Sequence, residues 1–495
     1  MSYGQKRLRN RKLKRIRSIF YFVFFLLLLV ACWPAKLPQC AFGIVCSLAF
    51  DTHSLHWENF FCENMLLYMV CGVACTSPPP PPVNPHEMSL YKMNDFARTT
   101  GAVCLDGSPG AFYYRPATNE TYKDDWVLHF KGAGWCYDEK DCLERSKMEF
   151  GSSTSWANTS GGWSSGILSP NDVTFGHFNK VVLLYCDGAS FTGDRTDPLI
   201  VTGTHESLYF RGRRIRDAIM ATLARDHGFQ NARNVLLTGC SSGGLAAYIH
   251  TDWMEKEVRR LARRTLQNFK VLPGSGFFAH HNNVDGVAVY GDEIENVFKL
   301  SNSTGGLSPK CLAAHPAAPH LCMFAEHAYA ASSAPTFVEN SALDAWQTDC
   351  ILTAAPLTGF PNTSSSKNGN CSNSDGGSWK ACASLGANPN NCTHAQMSTM
   401  NAYLRDFVAV LNATRRFHER GNGAFLHSCH THCEALSGGW PNFKIDGVAM
   451  RDAGRAWWKS NGSDPAATHT YLPCAWHNAA SGVPHQCNPT CTNYE

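Results

Sequence analysis

The stretch from Asn234 to Asp252 constrains the fold of this chain more than any other. It reads NVLLTGCSSGGLAAYIHTD: an apolar run, a cluster of small residues, and a second apolar run that suits a helix. Gly239, Ser241 and Gly243 stand at G-x-S-x-G spacing, which is typical of a tight strand-to-helix turn that presents a strained serine. The flanking residues must be small because the backbone passes itself closely there. The pattern predicts such an elbow with Ser241 at its tip, and a plain glycine- and serine-rich loop is the alternative.

Buried-type strands alternate with helical stretches from about Leu90 onward. The runs Trp126–Phe130 and Lys180–Cys186, like the run before Ser241, are apolar enough for strands covered on both faces. The segment Leu208–Gly228 has apolar residues at helical spacing and ends at a glycine. This alternation predicts an α/β fold with a mainly parallel sheet flanked by helices.

The N-terminal region differs from the rest of the chain. Residues 1–33 combine a basic head with the apolar run Ile19–Trp33, which is typical of a signal peptide or a signal anchor. Basic residues before the apolar run predict a cytosolic N-terminus, with the remainder translocated across the membrane. Residues 34–89 form a Cys-containing stem and a proline-rich linker. Residues 90–495 are the predicted catalytic domain.

Charge and cysteine content limit the partners and the compartment. Eight of the 43 Lys and Arg residues lie in the first 17 positions, which leaves 35 basic against 40 acidic groups. A chain without a basic surface is not expected to bind nucleic acid. The 22 cysteines and eight N-x-[S/T] sequons predict an exported glycoprotein, secreted or membrane-anchored, with disulfides. We expect a monomer.

Candidate partners for Ser241 lie downstream of it. A serine hydroxyl becomes a nucleophile when a histidine takes its proton and a carboxylate fixes the tautomer of that histidine. In α/β hydrolases the three residues follow in the order serine, acid, histidine. Asp344 follows the strand-like APTFVEN, and His427, His430 and His432 come late in the chain. Asp187 and Asp194, in YCDGASFTGD, precede Ser241 and fit this order poorly; lining a substrate cleft is their alternative role.

A glycine-lined turn supplies candidate donors for an oxyanion. The segment LHFKGAGWC places this turn directly after an apolar run, where acyl transfer needs preorganised backbone N–H groups. We predict the N–H groups of Gly134, Trp135 and Ser242 as the donors.

The cluster HSCHTHC has the short His and Cys spacing of a zinc site. In an exported chain its cysteines are better explained by disulfides, so neither a metal nor an organic cofactor is predicted. Cys240, next to the candidate nucleophile, is expected to be structural. We expect Cys136, Cys142, Cys429 and Cys433 to be bridged, so that the turns beside the site are held rigid.

The motifs occur in the order found in one known family. They are GAVCLDGSPGAFYY, KGAGWC, GILS, YCDGASFTGD, FRGRRI, LTGCSSGGLAA, NSALDAWQ, HSCHTHCE and CNPTC. From about Leu90 to Cys491 the chain resembles pectin acetylesterases, a family similar to the animal Notum carboxylesterases, which remove a lipid from Wnt proteins. The resemblance implies that Ser241 is the nucleophile, Asp344 the orienting acid and His432 the base, since the family motif reads N-S-C-x-x-H-C.

The resemblance implies a serine carboxylesterase that removes O-acetyl groups from a cell-wall or cell-surface polysaccharide such as pectin, through an acyl-enzyme. The alternatives are a Notum-like deacylase of a lipidated protein and a non-catalytic carbohydrate-binding protein on the same scaffold. The chain departs from the usual E-G-G-G-W-C at Lys131 and Ala133, and from S-A-G-G at Ser242. None of these departures removes a triad group, so their expected effect is on substrate choice or rate.

Overall fold

A computed structural model describes residues 84–354, 377–460, 488, 490 and 491. The predicted basic head, the signal or anchor segment and most of the stem lie outside these residues. Within the described part of the chain, no helix has the length and apolar character needed to cross a membrane.

A nine-stranded sheet forms the centre of the protein. Its strands are β1 (Met88–Lys92), β2 (Ala111–Arg115), β3 (Asp125–Phe130), β4 (Thr159–Ser160), β5 (Asn179–Leu183), β8 (Asn234–Cys240), β9 (Asn268–Gly274), β10 (Phe337–Ser341) and β11 (Gly423–His427). Their spatial order is β11-β10-β9-β8-β3-β5-β2-β1-β4; the strands from β11 to β5 are parallel, and β2, β1 and β4 join in antiparallel pairs. The predicted α/β architecture with a mainly parallel sheet is therefore confirmed.

Helices cover the sheet, and two short hairpins lie outside it. The hairpins are β6 (Leu199–Ile200) with β7 (Ser207–Leu208) and β12 (Lys444–Ile445) with β13 (Val448–Ala449). The α-helices are α1 (Asn94–Thr100), α2 (Glu139–Ser146), α3 (Gly212–Asp226), α4 (Ser242–Leu261), α5 (Val289–Ser301), α6 (Pro309–Ala314), α7 (Ala325–Ala331), α8 (Ala345–Gln347), α9 (Lys380–Ala383), α10 (His394–Ala413), α11 (Gly439–Asn442) and α12 (Met450–Lys459).

The central strands form because their apolar side chains are buried on both faces. All residues of β3 and β5 are buried, as are all residues of β8 except Asn234. The predicted run Lys180–Cys186 overshoots β5, since Cys186 leaves the sheet and forms a disulfide with Cys104. The helix predicted from Leu208 begins at Gly212 instead, because Leu208 pairs with β6 as an extended strand.

Candidate active site

Ser241 lies at a sharp junction between β8 and α4. Its backbone has φ 60° and ψ −132°, a conformation that residues with a Cβ rarely adopt. The N–H of Ser241 donates to the carbonyl of Gly274 at 3.2 Å, so the junction is fixed to the end of β9. A strained backbone held by its surroundings in this way raises one hydroxyl above the sheet edge.

Glycine is required beside Ser241 because the backbone segments nearly touch. A Cβ at Gly239 would lie 2.1 Å from the carbonyl oxygen of Gly243, and one at Gly243 would lie 2.1 Å from that of Phe130. A Cβ at Gly132 would lie 2.9 Å from the Cβ of Ser241. A side chain at Gly243 or Gly132 would push the elbow and the glycine turn apart, and one at Gly239 would open the elbow itself.

Asp344 and His432 form a close pair. Asp344 follows β10, is fully buried, and places Oδ2 at 2.8 Å and Oδ1 at 3.0 Å from Nδ1 of His432. Its Oδ1 also accepts hydrogen bonds from the N–H groups of Trp346 and Gln347 at the start of α8, which fix the carboxylate. The Nε2 atom of His432 is buried and has no hydrogen-bond partner among the described residues. The pair therefore leaves Nε2 available as a base, and the link to Ser241 is not closed by a hydrogen bond.

A disulfide connects the neighbours of Ser241 and His432. Cys240 and Cys433 are bridged, with their Cα atoms 5.7 Å apart. A ring nitrogen of His432 and the two sulfur atoms all lie within 4.8 Å of one another. The bridge thus holds together two loops that are 193 residues apart in sequence.

The glycine turn after β3 presents unpaired backbone donors. The N–H groups of Gly134, Trp135 and Ser242 have no acceptor in the described part of the chain. The N–H of Ala133 donates to the Oγ of Ser242 at 2.9 Å, which joins the turn to the first residue of α4. The predicted donors therefore lie on two segments that contact each other beside Ser241.

The other late histidines have different surroundings. Nε2 of His430 lies 2.8 Å from the Thr348 hydroxyl, and burial lowers the pKa of His430 to about 4. His427 is buried with Nε2 3.6 Å from a carboxylate oxygen of Glu339. Asp344 is hydrogen-bonded to His432 and not to either of these histidines.

The HSCHTHC cluster offers no thiolate ligands for a metal, because Cys429 and Cys433 are both in disulfides.

Asp187 is buried and accepts hydrogen bonds from three backbone N–H groups, so it shapes its own loop and does not line a cleft.

All four cysteines predicted to be bridged are bridged. Six disulfides lie wholly within the described residues: Cys104–Cys186, Cys136–Cys142, Cys240–Cys433, Cys311–Cys322, Cys382–Cys392 and Cys429–Cys491.

Several contacts of the site are not visible in sequence motifs. The Oγ of Ser275, just after β9, accepts a hydrogen bond from the N–H of Cys433 at 3.0 Å. The ring of Phe278 lies 6.3 Å from that of His432, and the ring of Trp346 lies 6.4 Å from it. Only the apolar run that precedes Ser275 could have indicated a strand ending at this site.

Known proteins match this chain over most of its length. The chain is 32% identical to pectin acetylesterase 11 of Arabidopsis thaliana over 400 residues, which covers 79% of this chain and 89% of that protein. It is 24% identical to the palmitoleoyl-protein carboxylesterase Notum of Drosophila melanogaster over 382 residues, covering 75% of this chain and 49% of that protein.

The fold is also that of a solved structure. The structure of the Wnt deacylase Notum from Drosophila matches with a TM-score of 0.63 and 21% identity, covering 82% of this chain and 99% of that one. The family model described as Pectinacetylesterase matches residues 84–492, which include the elbow, the glycine turn and the Asp344–His432 pair. The chain therefore belongs to the pectinacetylesterase family.

Proposed function

We propose that this protein is a serine carboxylesterase that removes O-acetyl groups from a cell-wall or cell-surface polysaccharide such as pectin. The observation that carries the proposal is the constrained arrangement of the elbow and the Asp344–His432 pair, tied by the Cys240–Cys433 bridge. Family membership supports a carboxylic ester hydrolase.

In the proposed reaction, Nε2 of His432 takes the proton of Ser241 while Oγ attacks the acetyl carbonyl. The N–H groups of Gly134, Trp135 and Ser242 stabilise the oxyanion, and Asp344 stabilises the imidazolium. The imidazolium then protonates the sugar oxygen, which leaves, and the acetyl group remains on Oγ. Nε2 then takes a proton from water, whose oxygen attacks the acetyl carbonyl. The bond between that carbon and Oγ breaks, the imidazolium returns the proton to Oγ, and acetate is released. Every role is filled by the chain, so the scheme needs no metal or organic cofactor.

The comparison with known proteins supports a short acyl group over a long one. Of the two relatives described above, the one with the higher identity is a pectin acetylesterase, and the match covers 89% of its length, against 49% for the Drosophila Notum carboxylesterase.

We also propose that the enzyme acts as a monomer outside the cytosol, with a catalytic domain over residues 90–495. The disulfides among the described residues support an oxidising compartment. The basic head and the run Ile19–Trp33 would direct export, and retention of that run would leave the enzyme on a membrane with its catalytic domain outside.

The test compares the wild-type protein with Ser241→Ala. We expect the wild type to release acetate from acetylated pectin, in the presence of EDTA as well, and Ser241→Ala to lose at least about 10³-fold in kcat with unchanged thermal unfolding. A wild type that favours p-nitrophenyl palmitate over p-nitrophenyl acetate would support lipid deacylation instead. A wild type that binds the polysaccharide without hydrolysing any ester would indicate a binding protein.

A further inference from the structure

The face of the glycine turn remote from Ser241 packs on a buried arginine. Arg145, in α2, is fully buried and donates to the carbonyl oxygens of Ala133 at 2.7 Å, Phe150 at 3.2 Å and Trp135 at 3.4 Å. No described carboxylate lies within ion-pair distance of it. The buried carboxyl of Asp187 interacts with this guanidinium only at longer range. The guanidinium therefore depends mainly on its hydrogen bonds to the backbone carbonyls, and these bonds hold the carbonyls of the turn.

A buried tyrosine binds the carbonyl of Gly134, which lies in the sequence between the Ala133 and Trp135 carbonyls that Arg145 binds. Tyr185 follows β5, and its hydroxyl donates to the Gly134 carbonyl oxygen at 2.8 Å and accepts from the N–H of Ser190 at 3.1 Å. Burial raises the pKa of Tyr185, so the hydroxyl stays protonated and remains a donor. The Arg145 guanidinium lies 5.2 Å from the centroid of the Tyr185 ring, so the two side chains form one packed unit behind the turn.

Peptide geometry connects these carbonyls to the opposite face of the turn. In a trans peptide, the C=O of one residue and the N–H of the next point in opposite directions. Arg145 holds the carbonyl of Ala133, so the N–H of Gly134 points away from Arg145. Tyr185 holds the carbonyl of Gly134, so the N–H of Trp135 points away from Tyr185. Gly134 has φ 60°, a backbone conformation that glycine adopts without steric cost.

We propose that Tyr185 and Arg145 are positioning residues that aim the N–H groups of Trp135 and Gly134 at the oxyanion. They touch neither substrate nor Ser241, and they act by fixing the two peptide planes before the reaction begins. The inference rests on the proposed function, because it assigns a purpose to N–H groups that the acyl-transfer scheme uses. Donors that need no reorganisation are worth more in the transition state than in the substrate complex.

Tyr185→Phe tests the inference, with Tyr113→Phe as the matched control. Tyr113, in β2, is buried and donates to the carbonyl of Ala157 at 2.8 Å, so both changes remove one buried hydroxyl that donates to a backbone carbonyl at the same distance. Tyr185→Phe also removes the bond that the hydroxyl accepts from the N–H of Ser190. With p-nitrophenyl acetate, we expect Tyr185→Phe to lower kcat about 10- to 100-fold with KM within twofold, since a loosened donor costs less than a deleted one. Tyr113→Phe should stay within twofold of the wild type in both constants.

A second readout separates positioning from general destabilisation. A p-nitrophenyl phosphonate ester traps a tetrahedral adduct with an anionic oxygen, and we expect Tyr185→Phe to slow this trapping by the same factor as kcat. Equal kcat values for the two tyrosine variants, or a loss confined to KM, would overturn the inference while Ser241→Ala remains inactive. Full activity of Ser241→Ala would instead reject the proposed function itself. Arg145→Lys keeps the charge but loses the guanidinium that binds several carbonyls at once, so its kcat should fall further than that of Tyr185→Phe. If Arg145→Lys does not fold, the comparison of Tyr185→Phe with Tyr113→Phe remains the test.

Discussion

Asp344→Asn tests the proposed orientation of His432 by changing a charge without changing a shape. In the wild type, Oδ1 accepts hydrogen bonds from the N–H groups of Trp346 at 3.0 Å and Gln347 at 3.1 Å. Only an oxygen can accept them, so the asparagine amide is expected to place its NH₂ group where Oδ2 now faces Nδ1 of His432. That NH₂ group donates to Nδ1, which forces the imidazole proton onto Nε2.

The expected loss of kcat follows from this tautomer. An Nε2 that already carries a proton cannot accept the proton of Ser241, so the general base is lost although every heavy atom stays in place. The equivalent change in a serine protease triad lowers kcat about 10⁴-fold, or about 5.4 kcal/mol of activation free energy. We expect the same scale here, because Asp344 is fully buried and solvent cannot reorient the new amide. KM should change little, since Asp344 lies behind His432.

The assay measures initial rates on p-nitrophenyl acetate for the wild type, Asp344→Asn and the control Asp194→Asn. Asp194 precedes Ser241 in the chain, and its carboxylate forms an ion pair of 2.6 Å with the guanidinium of Arg213. This ion pair is separate from the Asp344–His432 pair. Both variants should show thermal unfolding near that of the wild type. An Asp344→Asn enzyme within tenfold of the wild-type kcat, or an Asp194→Asn enzyme with an equal loss, would refute the assigned tautomer mechanism.

Two further predictions concern stability. Replacing both Cys240 and Cys433 by serine opens a loop spanning 193 residues, and the entropy of the unfolded chain then predicts a loss of about 5 kcal/mol in the free energy of unfolding. Denaturant titration measures this loss, and we also expect a lower kcat. Unchanged stability would contradict a bridge between these two cysteines. His129, in β3, is buried and has no hydrogen-bond partner among the described residues, and burial lowers its pKa to about 3. Between pH 6.5 and about 3 the unfolded chain binds a proton that the folded chain rejects, so stability falls as the pH falls, by at most about 1.4 kcal/mol per pH unit from this group. His129→Leu should flatten that slope in unfolding measurements made across this range, and an unchanged slope would assign the acid sensitivity to other groups.

The local sequence pattern was sufficient to predict those parts of the site that are formed by a single segment of the chain. The elbow at Ser241 needs glycine because a Cβ at Gly239 or Gly243 would lie 2.1 Å from a backbone carbonyl oxygen, and both glycines stand within two residues of Ser241 in the sequence. The strands β3, β5 and β8 are buried on both faces, so each reads as a continuous apolar run. Errors occurred where a neighbour competes, as at Leu208, which pairs with β6 instead of starting α3.

Contacts between distant segments could not be predicted in the same way. Cys240 was expected to be structural, but nothing near it in sequence indicates Cys433 as its partner, because disulfide connectivity depends on the folded topology. Arg145 lies in an ordinary-looking polar helix, and only the folded chain shows its guanidinium beneath the glycine turn. Side chains that support a site by binding its backbone carbonyls do not occur at a characteristic spacing in the sequence.

Two of the three departures near the glycine turn touch each other, and this contact explains how the chain tolerates them. Ala133 and Ser242 both replace smaller residues of the family pattern, and the N–H of Ala133 donates to the Oγ of Ser242 at 2.9 Å. The hydroxyl therefore gives the turn an attachment to α4, while the methyl group at position 133 narrows the conformations open to the turn. Lys131 has a separate effect, since its ammonium lies 4.9 Å from the centroid of the Phe150 ring and burial lowers its pKa. The changes at Ala133 and Ser242 act on how firmly the turn is held, and none of the three alters the groups that would exchange protons with the substrate.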